Sequence, residues 1–402
     1  MHEQDLPFMF LWGGRAIGKI YGALKECARW YEKIRDRFIY QLYLLEVYMH
    51  IIKRYLDNGY IDMESIMHEP DLPFMFLWGG RATGKTYGAL KECARWYEKT
   101  GDRFIYQRRT DKQLSMCANM NTNPFKPINT DTNRNIYPGY VKNVGRGFFE
   151  GELNEDGEMK LTNNLYGYMT SLSTIGNIRG IDFSDVWAVI YDEFMKMPNE
   201  RTMKDEGRSF ADMYESINRN REFGGKDPLK VVCLSNANDL ANDIFIYYDL
   251  VSRAEWMEKH NRFQYLDYGR GIALLRFDDS KISKQKQDTA LYKMLGEDAS
   301  YTKMALGNKF KETDIPTIKS VNIKEYKPFA NILGLTFYEH KSDNLYYVTT
   351  FKSGTYDKYD NSDIDKKRFC RKYIGLWASH MCEHVFFDSY QTLRIFENLF
   401  LE

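Results

Sequence analysis

Three runs of mainly apolar residues have the length of buried strands, and each ends in glycine or polar residues. The runs are residues 72–78 (LPFMFLW), 186–191 (VWAVIY) and 229–234 (LKVVCL). Nearly continuous apolar runs of this length are typical of strands covered on both faces, as in a parallel sheet. The pattern therefore predicts an α/β fold built around parallel strands.

A helix is predicted directly after the first of these strands. Small and apolar residues recur there at helical spacing, at Ala89, Leu90, Cys93, Ala94 and Tyr97. Gly101 follows, at a position where helices commonly end in a left-handed residue. The segment between strand and helix is rich in glycine, so the local order is strand, glycine loop and helix.

That glycine loop carries a phosphate-binding signature. Residues 79–86 read GGRATGKT, the G-x-x-x-x-G-K-[ST] pattern in the strand-to-helix context that it requires. The candidate nucleotide-binding residues are Gly79, Gly80, Arg81, Ala82, Thr83, Gly84, Lys85 and Thr86. The glycines let backbone N–H groups turn towards phosphate oxygens, and the helix N-terminus adds partial positive charge. We expect Lys85 to reach the β- and γ-phosphates of ATP and the Thr86 hydroxyl to bind Mg²⁺.

The other two predicted strands end in side chains that could complete such a site. The second is followed by Asp192 and Glu193, which we assign to the magnesium ion and to the base that orients attacking water, respectively. The third ends at Ser235 and Asn236, which could sense the γ-phosphate or belong to an ordinary turn. Polar residues at the carboxyl ends of parallel strands share the ligand-binding edge of an open sheet.

The start of the chain is nearly repeated further along. Residues 1–41 recur at 67–107 without gaps and with five differences. Ile17 and Ile20 stand where the second copy has the two threonines of the phosphate loop. Isoleucine offers no oxygen to a metal ion, so the first copy should not hydrolyse nucleotide.

The near identity of the copies indicates a recent local duplication. A passive appendage or an assembly artefact of the gene explains it, and a regulatory pseudo-domain is the alternative. Both copies begin Met-His-Glu, so Met67 could serve as a second start. We treat residues 1–66 as a separate segment with a degenerate loop, and we expect a chain begun at Met67 to keep full ATPase activity per subunit.

The composition limits the classes of protein to be considered. Of the 402 residues, 43% are hydrophobic and 28% are charged, as in a folded globular protein. Lys plus Arg equals Asp plus Glu at 56 each, so no overall field attracts the chain to nucleic acid or to an anionic membrane. The six cysteines show no C-x-x-C spacing, which favours reduced thiols. No apolar run approaches the ~18 residues that span a bilayer, so we expect a soluble intracellular protein.

The remainder of the chain shows weaker patterns. Residues 251–321 are interpreted as a lid and linker, in which Lys281, Lys284 and Lys286 could contact phosphates or form a solvated face. From residue 322 onward, strands followed by a helix predict a smaller α+β domain. That domain holds the densest basic patch, KKRFCRKY at residues 366–373, which could bind phosphates nonspecifically or be a basic helix face.

In order along the chain, six segments resemble the DNA-encapsidation ATPases of small podoviruses, a family related to the large terminase subunits. The segments are GGRATGKT (79–86), RFIYQRRT (103–110), VIYDEF (189–194), NRNRE (218–222), VVCLSNAND (231–239) and LGLTFYEH (333–340). The resemblance runs from about residue 72 to the C-terminus and leaves residues 1–66 outside it.

The resemblance implies a P-loop NTPase domain of the ASCE type at residues 67–250. Glu193 would be its catalytic base, and an arginine from the neighbouring subunit would complete the site. The NRNRE segment puts forward Arg219 and Arg221 for this finger, with Arg81 as an alternative within the same subunit. The family pattern also implies that Ser235 and Asn236 couple the γ-phosphate to movement.

For residues 322–402 the resemblance implies a vestigial RNase H-like nuclease domain used for docking. Larger packaging enzymes cut DNA with a cluster of acids that holds two metal ions. Here Glu339, Asp343 and Asp388 are scattered, so nuclease activity is not expected.

The function implied is that of a ring motor, a homopentamer that drives double-stranded DNA into an empty viral shell by hydrolysing ATP with Mg²⁺. The motor would dock on the portal protein, with a packaging RNA as a further candidate partner and no membrane. Its expected location is the host cytoplasm, transiently on the procapsid. The rival functions are a helicase-like or kinase-like enzyme and a nucleic-acid-binding scaffold with a spent nucleotide site.

Overall fold

The computed structural model describes most of the chain after the first fifty residues. The described residues are 51–155, 159–196, 200, 203–236, 240–277, 280–286, 288–295 and 316–401. The first copy of the duplicated stretch, with Ile17 and Ile20, lies outside them. Among the described residues, no helix has the length and apolarity needed to cross a bilayer.

Fourteen strands occur in the described residues. They are β1 (Phe74–Gly79), β2 (Arg103–Arg108), β3 (Ile136–Val141), β4 (Gly145–Leu153), β5 (Met159–Ser171), β6 (Val186–Asp192), β7 (Lys230–Asn236), β8 (Gln264–Asp267), β9 (Ile272–Phe277), β10 (Tyr326–Ile332), β11 (Leu335–His340), β12 (Tyr346–Thr349), β13 (Asp357–Lys358) and β14 (Val385–Phe387).

Twelve α-helices connect and flank these strands in the described part of the chain. They are α1 (Met63–Met67), α2 (Lys85–Thr100), α3 (Asp111–Cys117), α4 (Lys126–Thr132), α5 (Glu206–Asn218), α6 (Asp243–Tyr247), α7 (Val251–Lys259), α8 (Lys281–Lys286), α9 (Ala290–Leu295), α10 (Asp363–Lys372), α11 (Gly375–Met381) and α12 (Tyr390–Leu401).

The first nine strands form one sheet in the order β3-β4-β5-β2-β6-β7-β1-β9-β8. The six strands from β5 to β9 in this order run parallel, and the pairs at the two edges are antiparallel. The three strands predicted from apolar runs are β1, β6 and β7, which are neighbours in this parallel core. The prediction of an α/β fold around parallel strands is therefore confirmed.

The core of this sheet follows from the apolar pattern of its strands. Met75 and Leu77 on β1 and Val232 and Leu234 on β7 are fully buried, together with Leu90 of helix α2. Helix α2 ends at Gly101, whose φ of 80° is the left-handed conformation expected from the sequence. The buried face and the glycine cap thus fix the helix, and its N-terminus follows the glycine loop that leaves β1.

Residues 51–66, which we call the N-terminal strap, pack into the same core. Their side chains Ile52, Ile61, Met63 and Ile66 are at most 3% exposed. The backbone N–H of Ile61 donates a hydrogen bond to the carbonyl oxygen of Thr83 in the glycine loop, at 3.2 Å. The interpretation of everything up to residue 66 as an appendage is therefore wrong for residues 51–66, because they cover the core and touch the loop.

The segment expected to be a lid and linker also departs from the prediction. Within residues 251–321, β8 and β9 belong to the main sheet, and β9 lies directly beside β1. The run IALLRF, which forms β9, is completely buried, and its mainly apolar pattern is that of a core strand and not of a linker. Lys281 begins helix α8, whereas the side chains of Lys284 and Lys286 lie outside the described residues.

The chain divides into two compact units. The first comprises residues up to Phe194, Asp212–Asn236 and Arg262–Lys293, and the second comprises Met195–Ala211, Ala237–Asn261 and Met294–Glu402. The first unit contains the nine-stranded sheet. The predicted boundary at residue 250 does not match this division, since helices α6 and α7 both belong to the second unit.

The second unit contains a five-stranded sheet in the order β13-β10-β11-β12-β14. Strands β10, β11 and β12 form an antiparallel meander, and β14 adds parallel to β12. Phe337, Phe369 and Phe396 pack between this sheet and helices α10 and α12. The predicted α+β domain is present, and its RNase H-like character stays a prediction.

The second unit also contains the acidic residues and the basic patch that the sequence singles out. Asp388 accepts hydrogen bonds from the hydroxyls of Thr349 and Thr392, while Glu339 is exposed on β11. Within the described ranges no three His, Cys, Asp or Glu side chains are grouped as a metal site would require. The basic patch forms helix α10 and is mostly exposed.

Candidate functional site

The glycine loop joins β1 to α2 in a conformation that only glycine tolerates at two positions. Gly79 has a φ of 144°, and a Cβ placed there would lie 2.3 Å from the carbonyl oxygen of Phe277 on β9. Gly84 has a φ of 86° and caps the N-terminus of α2. The close approach of β9 and the left-handed cap explain why glycine begins and ends the loop.

Lys85 is folded into this loop. Its Nζ donates to the carbonyl oxygens of Gly79 at 3.2 Å and Gly80 at 2.9 Å, and to the Thr83 hydroxyl at 3.3 Å. Burial lowers the pKa of Lys85 to about 8, although nearby carboxylates oppose the shift. The ammonium group therefore lies among the backbone atoms that would surround a phosphate chain.

The structure brings the two predicted metal ligands into contact. The Thr86 hydroxyl, at the start of α2, donates to Oδ1 of Asp192 at 2.8 Å. Asp192 is the last residue of β6 and is only 5% exposed. A hydroxyl and a carboxylate are hard oxygen ligands of the kind that Mg²⁺ prefers, so these residues fit such an ion.

Glu193 follows Asp192 outside the strand, with a φ of 55°. Its Oε1 accepts a hydrogen bond from the side-chain amide of Asn236, at 2.9 Å. Burial and, to a lesser extent, the charge of Asp192 raise the pKa of Glu193. The left-handed backbone turns this side chain towards the end of β7, where Asn236 holds it.

Ser235 and Asn236 are successive residues of β7, so their side chains point to opposite faces of the sheet. Asn236 reaches Glu193, whereas the buried Ser235 hydroxyl, one residue earlier, has no hydrogen-bond partner in the described part of the chain. Successive strand residues point to opposite faces. Of the two predicted phosphate sensors, Asn236 is therefore the one whose side chain is hydrogen-bonded to another candidate site residue in the described part of the chain.

The three candidate arginines have different positions. Arg81 lies in the glycine loop, where its positive charge acts on both Lys85 and Glu193. Arg219 donates to the carbonyl oxygen of Ile181, and Arg221 donates to that of Val186. Val186 begins β6 and Asp192 ends it, so within this chain the NRNRE arginines lie at the opposite end of that strand from the glycine loop.

Two site residues on β2 were not identified from the sequence. The Tyr106 hydroxyl and Nη1 of Arg108 both donate to Oδ2 of Asp192, each at 2.8 Å. Burial raises the pKa of Tyr106 well above its usual value, so the phenol stays protonated and can donate. In the sequence, RFIYQRRT carries the family resemblance and no predicted site residue. Its alternation places Tyr106 and Arg108 on one face of a strand at the ligand-binding edge, which was the available signal.

Together, the large parallel sheet, the glycine loop leading into a helix and the carboxylates at the end of a neighbouring strand define a mixed α/β fold of the P-loop class. Within that class, the chain belongs to the Podovirus DNA encapsidation protein (Gp16) family, whose sequence model matches residues 60–327. The match begins at residue 60, inside the strap, and not after residue 66 as expected from the sequence.

Curated relatives carry the description "DNA packaging protein". The protein of Bacillus phage B103 is 24% identical over 237 residues, which are 58% of this chain and 63% of the relative. The protein of Bacillus phage phi29 is 24% identical over 238 residues, covering 58% of this chain and 61% of the relative. The matched part of the chain thus spans a little over three fifths of these relatives.

Two solved packaging motors share the fold. A chain from the bacteriophage Phi-29 viral genome packaging motor assembly superposes with a TM-score of 0.60 at 18% identity, covering 85% of this chain and 99% of that chain. The Phi-28 gp11 DNA packaging motor gives a TM-score of 0.59 at 16% identity, covering 86% and 97% respectively. At these identities the likeness establishes the fold, and the chemistry of the site depends on the residues described above.

Proposed function

We propose that this protein is an ATP-driven translocase that packages double-stranded viral DNA into a preformed shell. The observation that carries the proposal is the contact between Thr86 and Asp192, with Glu193 held beside them. Thr86 and Asp192 are 106 residues apart in sequence, so it is the fold that brings them together. Membership in the DNA encapsidation family supports packaging as the process that the ATPase drives.

The proposed hydrolysis assigns one task to each group. The backbone N–H groups of the loop and Lys85 would hold the phosphates, and Thr86 and Asp192 would hold Mg²⁺. When bound, the ion would supply positive charge to the β- and γ-phosphate oxygens. Glu193 would orient the attacking water as the catalytic base, while Asn236 holds its carboxylate in place.

The proposal includes an oligomeric ring of these chains, with five subunits as implied by the family resemblance. The partners would be double-stranded DNA and the portal of the procapsid, with a packaging RNA as a further candidate, in the host cytoplasm. Residues 322–402 would serve for docking, without nuclease activity. Family membership and the shared fold of the two motor chains support this arrangement.

A direct test is phosphate release by the full chain with and without double-stranded DNA. We expect Mg²⁺-dependent hydrolysis of ATP that DNA stimulates, and packaging of DNA when procapsids are added. A scaffold protein with an inactive nucleotide site would release no phosphate. A helicase-like enzyme would separate DNA strands without filling procapsids. Either result would overturn the proposed function.

An arginine contributed by the neighbouring subunit leads to a separate prediction. Arg219 is exposed, so it could reach a neighbouring chain once its bond to Ile181 opens. We expect Arg219→Ala to keep ATP binding and to lose roughly 10³-fold in hydrolysis. A mixture of Arg219→Ala and Glu193→Gln subunits should recover activity, because the base of one and the arginine of the other then meet at some interfaces. Failure of the mixture to exceed the sum of its components would exclude this arrangement, and Arg221→Ala in the same assay would test the second candidate.

A further inference from the structure

The carboxylate of Asp192 is gripped on both oxygens by side chains from different elements. Oδ1 accepts the Thr86 hydroxyl of α2, and Oδ2 accepts both Tyr106 and Arg108 of β2, all at 2.8 Å. The proposed function assigns Thr86 and Asp192 to the magnesium ion. It assigns nothing to the two residues on the other oxygen.

Burial makes these two contacts important for the carboxylate. The side chain of Asp192 is 7% exposed and that of Arg108 is 17% exposed. An ionised carboxylate with so little water needs donors and a nearby positive charge, and Arg108 supplies both. Tyr106 adds a neutral donor from the same face of the strand, so the carboxylate cannot turn without breaking two hydrogen bonds on Oδ2.

The direction of the carboxylate is what a magnesium site requires. Mg²⁺ demands near-ideal octahedral geometry and tolerates little misplacement of its ligands. Side chains that hold a metal ligand in place typically change metal affinity 10- to 100-fold when they are removed. With Oδ2 occupied by β2, only Oδ1 is left directed towards Thr86.

A carboxylate is held in a similar way at the other end of β2, by one side chain of that strand and one of β5. There, Arg103 of β2 forms an ion pair with Asp185, and the Tyr168 hydroxyl donates to the same Asp185 oxygen at 3.0 Å. Asp185 immediately precedes β6. The two arginine–aspartate ion pairs both help to fix β2 beside β6, and Arg103 therefore provides a matched control.

We propose that Arg108 and Tyr106 are positioning residues of the magnesium site, which hold one oxygen of Asp192 so that the other faces Thr86. This inference rests on the proposed nucleotide site, and it adds β2 to the elements that build it. Arg103 and Tyr168 have no such role, because their carboxylate lies at the far end of β6.

The test is the Mg²⁺ dependence of nucleotide binding by the full chain, measured with a fluorescent ATP analogue over a Mg²⁺ titration. For Tyr106→Phe and Arg108→Gln we expect the Mg²⁺ concentration at half-saturation to rise roughly 10- to 100-fold. Affinity for the analogue in EDTA should be unchanged. Arg108→Lys should recover much of the loss, since the ammonium group keeps the charge and can donate to Oδ2 of Asp192. Arg103→Gln should leave the Mg²⁺ requirement at the wild-type value.

Three outcomes would overturn the inference. One is an unchanged Mg²⁺ requirement in Tyr106→Phe and Arg108→Gln, and another is an equal shift in Arg103→Gln. The third is a lower Mg²⁺ requirement in Arg108→Gln, which would show that the guanidinium competes with the ion. If Arg108→Gln does not fold, as judged by its melting curve, Tyr106→Phe alone decides, because it removes one oxygen and no charge. A wild-type chain without Mg²⁺-dependent binding would instead overturn the nucleotide site itself and this inference with it.

Discussion

Glu193→Gln is expected to bind ATP as the wild type does and to release phosphate roughly 10²- to 10⁴-fold more slowly. Glutamine keeps the shape and the acceptor oxygen that Asn236 binds at 2.9 Å, but it cannot take a proton from water. Because burial already raises the pKa of Glu193, a neutral side chain should not destabilise the fold. The measurements are the binding of a fluorescent ATP analogue and the rate of phosphate release, with and without DNA.

Glu98→Gln provides the matched control for this change. Glu98 lies on helix α2, which also carries Lys85, and its carboxylate accepts two hydrogen bonds from the guanidinium of Arg134. The pair is partly exposed, with 20% of the Arg134 side chain and 36% of the Glu98 side chain open to solvent, so its loss should cost about 1 kcal/mol and leave turnover near the wild-type rate. Full turnover in Glu193→Gln would remove Glu193 from the role of base.

Deletion of the N-terminal strap has the second large expected effect. A chain begun at Met67 lacks Ile52, Ile61, Met63 and Ile66, all nearly fully buried. Burial of each such side chain contributes roughly 1.5–3 kcal/mol in gross terms, so the four together are comparable with the roughly 5–15 kcal/mol that stabilises a typical domain. We expect this chain to lose nucleotide binding and the cooperative thermal transition of the first unit.

A chain begun at residue 51 separates the strap from the duplicated copy. It lacks the first copy entirely and keeps every strap contact described above, including the hydrogen bond from Ile61 to the glycine loop. We expect it to match the full chain in melting temperature and in ATP affinity. Equal ATPase activity of the Met67 chain, as the sequence alone suggested, would show that the strap contributes little to the site.

The sequence predicted those parts of the site whose residues have a fixed local pattern. The glycine loop is recognisable because close backbone approach at Gly79 and a left-handed cap at Gly84 restrict these positions to one residue type. Asp192 and Glu193 were found because two acids directly follow a buried apolar run. In both cases, the physical constraint acts within a few consecutive residues.

The elements missed from the sequence depend on contacts between distant segments. The role of Arg108 becomes visible only when β2 is placed beside β6, since its partner Asp192 is 84 residues away. The sequence around strand β9 indicates a linker because its polar residues outweigh the five apolar residues of the strand. Because the strap adjoins a duplicated stretch, the sequence indicates an appendage, although the apolar residues of the strap fill the core.

The neighbours of β1 have a consequence for how the chain reaches its native state. The strand sequence FMFLWG, seated between β7 and β9, occurs a second time at residues 8–13. The chain therefore holds two identical candidates for one central place in the sheet, and a refolding experiment should reveal a slow phase if the wrong one enters first. Only the second candidate is preceded by the apolar residues of the strap. We expect the strap to favour the second candidate, because it adjoins that candidate in sequence and contacts the glycine loop that follows it.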